Sequence, residues 1–140
     1  MSTYVLVAGA WHGAWCWERV TPLLTARGHV VHTPELPGTG ADSSDPRRAT
    51  LAGWARLIAD VVEREHEPAI LVGHSRGGIV ISQAAELVPE RIRRLVYVSA
   101  YLLADGATLA RLPGEHEPLT ARPRPRPLLA AKRDTTIAVR

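Results

Sequence analysis

Five residues, Gly73-His74-Ser75-Arg76-Gly77, constrain this chain most, because they lie between the apolar run Ala69-Ile70-Leu71-Val72 and the helix-like stretch Ile79 to Val88. A serine in G-x-S-x-G at a strand-to-helix turn is a nucleophile elbow. The turn is tight and strained, so a side chain at Gly73 or Gly77 is expected to collide with the neighbouring strand or helix. Ser75 is thereby held at the tip, while the helix that follows points its N–H groups and positive dipole end at the reacting centre. A serine of this kind is activated by a histidine and an acid in the chain order Ser, Asp/Glu, His. Only 65 residues follow Ser75.

The rest of the chain supplies a frame for such a turn. Tyr4-Val5-Leu6-Val7-Ala8 is continuously apolar up to Gly9, the pattern of a strand buried on both faces. Trp15 to Ala26 is expected to be helical, with Trp17, Val20, Leu23 and Leu24 on one face, Gly28 as its C-terminal stop, and Pro22 implying a late start or a kink. His29 to His32 reads as a second strand, and Pro34 to Asp45 as a loop by its Pro, Gly, Ser and Asp content. Thr50 is placed to cap a helix carrying Leu51, Trp54, Leu57, Ile58, Val61 and Val62 at helical spacing. Ala69 to Val72 is the third strand, Gly77 to Val88 a helix stopped by Pro89, and Leu95 to Val98 the fourth strand.

Strands alternating with helices predict a parallel sheet covered on both faces and joined by right-handed crossovers. Sites in such sheets lie beyond the carboxyl ends of the strands. Both Gly9 to Gly13 and Ser75 fall there, so two glycine-rich turns converge on one sheet edge.

At 140 residues and 46% apolar content the chain suits one domain with a real core. The net charge of +3 is uneven: ten arginines face eleven carboxylates over residues 1–110, against seven basic and three acidic residues over 111–140. Basicity confined to a tail argues against nucleic-acid binding by the folded part. Cys16 is the sole cysteine, which excludes an internal disulfide and offers no metal-ligand cluster. With no signal-like start and no apolar run of spanning length, the expected location is cytoplasmic, away from membranes. From Ala104 the character changes, and residues 105–140, with the alternation Arg122 to Pro127, are expected to be largely irregular, with a strand at most near Thr135 to Val139.

Ala8-Gly9-Ala10-Trp11-His12-Gly13 ends the first strand, where a serine nucleophile needs a second backbone N–H for an oxyanion hole. Here the chain resembles the α/β-hydrolase superfamily, in particular the branch of plant-type methylesterases and hydroxynitrile lyases with their bacterial relatives. The matching residues are Val7 to Trp17, Pro22-Leu23-Leu24, Gly28-His29, Leu36-Pro37-Gly38, Val72 to Gly78 and Val98-Ser99-Ala100-Tyr101. They cover about the first 105 residues in the right order. The resemblance implies a three-layer core with about four strands over 1–104, its C-terminal strands missing and the chain truncated inside a cap. It makes Ser75 the nucleophile and the backbone N–H groups of Ala10 and Arg76 the oxyanion hole. Two departures stand out: the family often has His where Ala8 stands, and many relatives have a smaller apolar residue in place of Arg76.

The base and acid are left without a family-like motif. His74 adjoins Ser75, but consecutive side chains on a tight turn point apart. His12 lies in the oxyanion loop, where a packing role competes with that of a base. His116 is the only histidine after the elbow; Asp134 lies in the tail, and Asp105 follows the fourth strand as acid or plain surface residue. Trp11, Trp15 and Trp17 are candidates to line an acyl pocket, Trp17 equally to pack helix against sheet. Cys16 reads as a small buried hydrophobe, and Asp42 and Asp45 as turn carboxylates bonding their own backbone.

The expected function is carboxylesterase-like hydrolysis of a small ester through an acyl-enzyme on Ser75, with no cofactor and no metal, and weakened where base and acid are lacking. Lyase chemistry is disfavoured, since family lyases use an active-site lysine and the sole lysine is Lys132. The alternative is a non-catalytic module. An open edge at Leu95 to Val98 would then favour a homodimer.

Overall fold

The computed structural model describes residues 1–42 and 49–107, together with the backbone of 136–139. Five strands form one sheet: β1 (Thr3–Val7), β2 (Val30–His32), β3 (Ala69–His74), β4 (Ile92–Val98) and β5 (Thr136–Val139). Their order is β2-β1-β3-β4-β5, and every neighbouring pair is parallel. Three helices, α1 (Thr21–Thr25), α2 (Leu51–Glu63) and α3 (Gly77–Leu87), supply the crossovers among the described residues.

Alternation along each strand divides the core. Val5 and Val7 of β1, Leu71 of β3 and Leu95 of β4 face Trp54, Ile58 and Val62 of α2 and Val80, Ile81 and Ala84 of α3. Leu6 and Val72 face the other way, onto Trp17 and Leu24. A parallel sheet must bury both faces, which is why β1 and β3 read as unbroken apolar runs. In α2 the buried residues are Trp54, Ala55, Ile58, Ala59 and Val62, one helical stripe. Its start is fixed by Thr50, whose hydroxyl accepts from the Gly53 N–H at 3.1 Å.

Two expectations need correction. The helix over Trp15 to Ala26 is broken into a 3₁₀ turn at Ala14–Trp17 and the single-turn α1. Pro22 lies in the first turn of α1, where its missing N–H costs nothing; farther along a continuous helix it would remove a bond and clash. The break rotates the apolar face out of register, so Trp17 is buried while Val20 and Leu23 are exposed. The second correction concerns the edge expected at Leu95 to Val98. Leu95 pairs with Thr136 and Val98 with Val139, so β5, where a strand near Thr135 to Val139 was the one exception expected in the tail, occupies that edge. The homodimer expected through this edge therefore loses its basis. The expected irregularity of the tail otherwise falls on residues outside those described.

Gly28 adopts φ +77 after α1, and the Gly28 and His29 N–H groups return to Thr25 and Leu24 carbonyls, closing the helix as its position implied. Arg93 and Arg94 interrupt the apolar pattern of β4, so the strand begins earlier than expected, at Ile92. No helix of the described residues is long and apolar enough to cross a membrane.

Candidate active site

Ser75 occupies the turn between β3 and α3 with φ +52, in the left-handed region. That conformation costs a residue with a side chain about 1–2 kcal/mol, so the surroundings must hold it in place. They do so through the backbone. The Ser75 N–H donates to the Val98 carbonyl at 3.3 Å, and the Ser75 carbonyl accepts from Gly78 and Tyr101 N–H groups, each at 3.1 Å. Close approach explains the flanking glycines. A Cβ on Gly73 would lie 2.7 Å from the Gly77 carbonyl group, and one on Gly77 would lie 2.6 Å from the Val7 carbonyl oxygen. Both collisions are of the kind expected from the motif, with the following helix and with β1.

The loop after β1 runs against this turn. A Cβ on Gly9 would meet Ser75 Cβ at 2.8 Å, so only glycine lets the loop pass the nucleophile without displacing it. Trp11 in the same loop has φ +58. Among the described residues, neither the Ala10 N–H nor the Arg76 N–H donates a backbone hydrogen bond. Two unpaired donors on segments flanking a serine are what an oxyanion hole requires.

His12 is brought to the same edge. Its ring lies 5.5 Å from that of His74, edge to face, and stacks on Trp15 at 5.2 Å. Nδ1 lies 2.8 Å from the Ala10 carbonyl oxygen, which can only accept, so Nδ1 carries the proton. With the proton on Nδ1, Nε2 is the accepting nitrogen of the uncharged tautomer. Among the described residues none hydrogen-bonds Ser75 Oγ.

Glu35, not singled out by the sequence, braces the loop. Its Oε1 accepts from the Ala14 N–H at 2.9 Å, and the carboxylate sits against the backbones of Gly13 and Gly40. A lone carboxylate just past a short strand carries no periodic or motif signal. Burial, followed in smaller measure by the Glu35 charge, pushes the Cys16 thiol above its ordinary range. That keeps it protonated and agrees with a packing role.

The Arg76 side chain was not expected to matter. Its guanidinium lies over the Trp54 ring at 4.3 Å, and the indole N–H of Trp54 donates to the Pro37 carbonyl at 2.9 Å. Nε and Nη2 of Arg76 are buried with no hydrogen-bond partner among the described residues.

Other candidates separate. Asp105 is exposed and lines a cleft of about 290 Å³ with Leu51, Ser82, Gln83 and Glu86, and Ser75 is not part of its wall. Trp11 is 93% exposed, so it does not line an enclosed pocket, and Trp15 is half exposed, whereas Trp17 is buried beneath the sheet. Asp42 accepts from the Gly38 N–H at 2.8 Å, the turn role expected of it. His116, Asp134, Lys132 and Asp45 lie outside the described residues. No group of three or more metal-ligating side chains comes together among the described residues.

Known proteins share the sequence and fold of this chain. The model of the alpha/beta hydrolase family matches residues 4–139. A carbendazim hydrolyzing esterase of Nocardioides sp. is 39% identical over 114 residues, covering 80% of this chain and 47% of that protein. The α-hydroxynitrile lyase of Arabidopsis thaliana is 38% identical over 102 residues, 71% of this chain and 40% of its own length. A solved pyrethroid hydrolase from Sphingobium faniae superposes with a TM-score of 0.72 at 38% identity, covering 81% of this chain and 46% of that one. The chain thus spans about half the length of the curated relatives it matches.

Proposed function

The chain belongs to the alpha/beta hydrolase family, and from that premise we propose that it is built for carboxylic ester hydrolysis with Ser75 as the nucleophile. The carrying observation is the left-handed Ser75 turn, pinned by three backbone hydrogen bonds beside two unpaired N–H groups. In the proposed reaction Ser75 Oγ bonds to the ester carbonyl carbon, and the carbonyl oxygen takes up negative charge against the Ala10 and Arg76 N–H groups. The Ser75 hydroxyl proton passes through a base to the leaving oxygen as the acyl C–O bond breaks and the alcohol departs, and water then frees the acid from the acyl-enzyme and restores the Ser75 hydroxyl. The relatives named as esterases of small molecules support a small-molecule ester as substrate. What supports His12 as a base candidate is its ring lying 5.5 Å from that of His74 within the motif, with Nδ1 bonded to the Ala10 carbonyl. The single cysteine supports a cytoplasmic location, which cell fractionation would test.

A second reading, a self-associating module without catalysis, is favoured by the absence of any described partner for Ser75 Oγ. Self-association would use the exposed Trp11 and Trp15 in place of β4. A fluorophosphonate probe separates the two readings. Covalent labelling of the wild-type chain that disappears in Ser75→Ala is expected; a folded wild-type chain that stays unlabelled would overturn the first reading.

A further inference from the structure

The residue after the nucleophile presents an anomaly that the proposed reaction does not use. A guanidinium is always charged near neutral pH, and burying one normally brings a carboxylate with it. Arg76 has none: two of its nitrogens are buried without a partner, and no ion pair of the described residues includes it. Its compensation is the face of Trp54 at 4.3 Å, itself fixed by the indole bond to Pro37. Burial pushes the guanidinium pKa downward, as an unneutralised charge requires. Nε and Nη2 lie too deep for a ligand to reach, so the charge is not waiting for a substrate anion at those atoms.

A charge with two of its three nitrogens out of water is screened less than one wholly in solvent. Arg76 directly follows Ser75 at the N-cap of α3, so its charge is carried one residue from the proposed nucleophile. We propose that the Arg76 side chain is a positioning residue whose Trp54-seated positive charge favours negative charge at the Ser75 side-chain oxygen and in the oxyanion hole beside it. It touches neither substrate nor reacting atoms. Its role in turnover rests on the reading of Ser75 as nucleophile, whereas the field itself does not.

The test therefore reads the field directly. In a Cys16→Ser background, Ser75→Cys places a thiol at the turn, and its pKa is followed by thiolate absorbance against pH. Arg76→Met keeps the length and the packing on Trp54 but removes the charge, and Arg76→Lys restores it. The thiol pKa is expected to rise by about one unit in Arg76→Met, a tenfold loss of thiolate at neutral pH, and to return in Arg76→Lys. An unchanged thiol pKa in a folded Arg76→Met variant would overturn the proposal. With Ser75 in place, fluorophosphonate labelling is expected to slow about tenfold in Arg76→Met, a fraction of the ~10²–10³-fold worth of an oxyanion donor. A thiol shift without labelling of the wild-type chain would uphold the field and reject only the nucleophile.

Discussion

Gly73→Ala tests the claim that the turn is held by contact between backbones. The added methyl would lie 2.7 Å from both carbon and oxygen of the Gly77 carbonyl and 2.8 Å from the Gly78 nitrogen. Apolar contacts settle near ~3.5–4.0 Å, so the first turn of α3 must retreat by about an ångström. That turn has nowhere to go cheaply, because Gly77 already rests on the Val7 carbonyl and Gly78 on Tyr101. Overpacking of this kind costs about 1–3 kcal/mol. At about 3–5 °C per kcal/mol for a chain of this size, that corresponds to a fall in melting temperature of roughly 3–15 °C. Gly28→Ala is the natural control. Gly28 has φ +77 and open space around it, so its substitution costs only the left-handed penalty of about 1 kcal/mol. Thermal melts followed by circular dichroism should rank Gly73→Ala clearly below Gly28→Ala. Equal melting temperatures would refute the steric account of the motif.

Tyr97 is buried, and burial pushes its hydroxyl pKa up, partly offset by the hydrogen bond with Ser82. The folded chain therefore holds that proton more tightly than the unfolded chain, so its contribution is intact below the unfolded pKa of about 10 and fades as pH rises toward the higher folded value. Urea melts between pH 8 and 11 should show an alkaline loss of stability that Tyr97→Phe reduces; an unaltered alkaline limb would be the wrong outcome for this assignment. Self-association through exposed Trp11 and Trp15 predicts a dimer mass by light scattering that falls to monomer in the Trp11→Ser, Trp15→Ser double variant. A monomeric wild-type chain at high concentration would refute it.

The strands and the turn were legible because each rests on a local rule. β1 and β3 are short apolar runs, Thr50 stands where a cap belongs, and the glycines around Ser75 mark a close approach whose partners the structure then supplies. What escaped depends on residues remote in sequence. Arg76 meets Trp54 across 22 positions, and Glu35 reaches Ala14 across 21, and neither pair leaves a periodic trace. The misjudged helix has a different cause. Trp17, Val20, Leu23 and Leu24 fit a helical face, but a 3₁₀ turn followed by a restart at Thr21 changes the angle between them, and periodicity cannot register a break that preserves spacing. The β4 edge was read as open because the candidate strand near Thr135 to Val139 carries no signal of its partner; a parallel pairing is made by the sheet already present.

Strain is gathered at one edge of this molecule. Among the described residues, three with side chains have positive φ, namely Trp11, Ser75 and Ser99, and they follow β1, β3 and β4 in turn. These strands are adjacent in the sheet, so the three unfavourable conformations lie side by side at its carboxyl edge. At about 1–2 kcal/mol each they would consume a large part of the net stability of a small domain. A chain selected only for folding would place glycine at such positions, as it does at Gly28, Gly38 and Gly106. At Ser75 glycine would remove the nucleophile, which gives that strain a chemical reason. Ser99 is tied to the same turn, because the Val98 carbonyl before it and the Tyr101 N–H after it are the groups that hold Ser75. The end of β4 thus serves as the clamp on the nucleophile turn, and its departure from relaxed geometry follows from having to meet Ser75 on both sides.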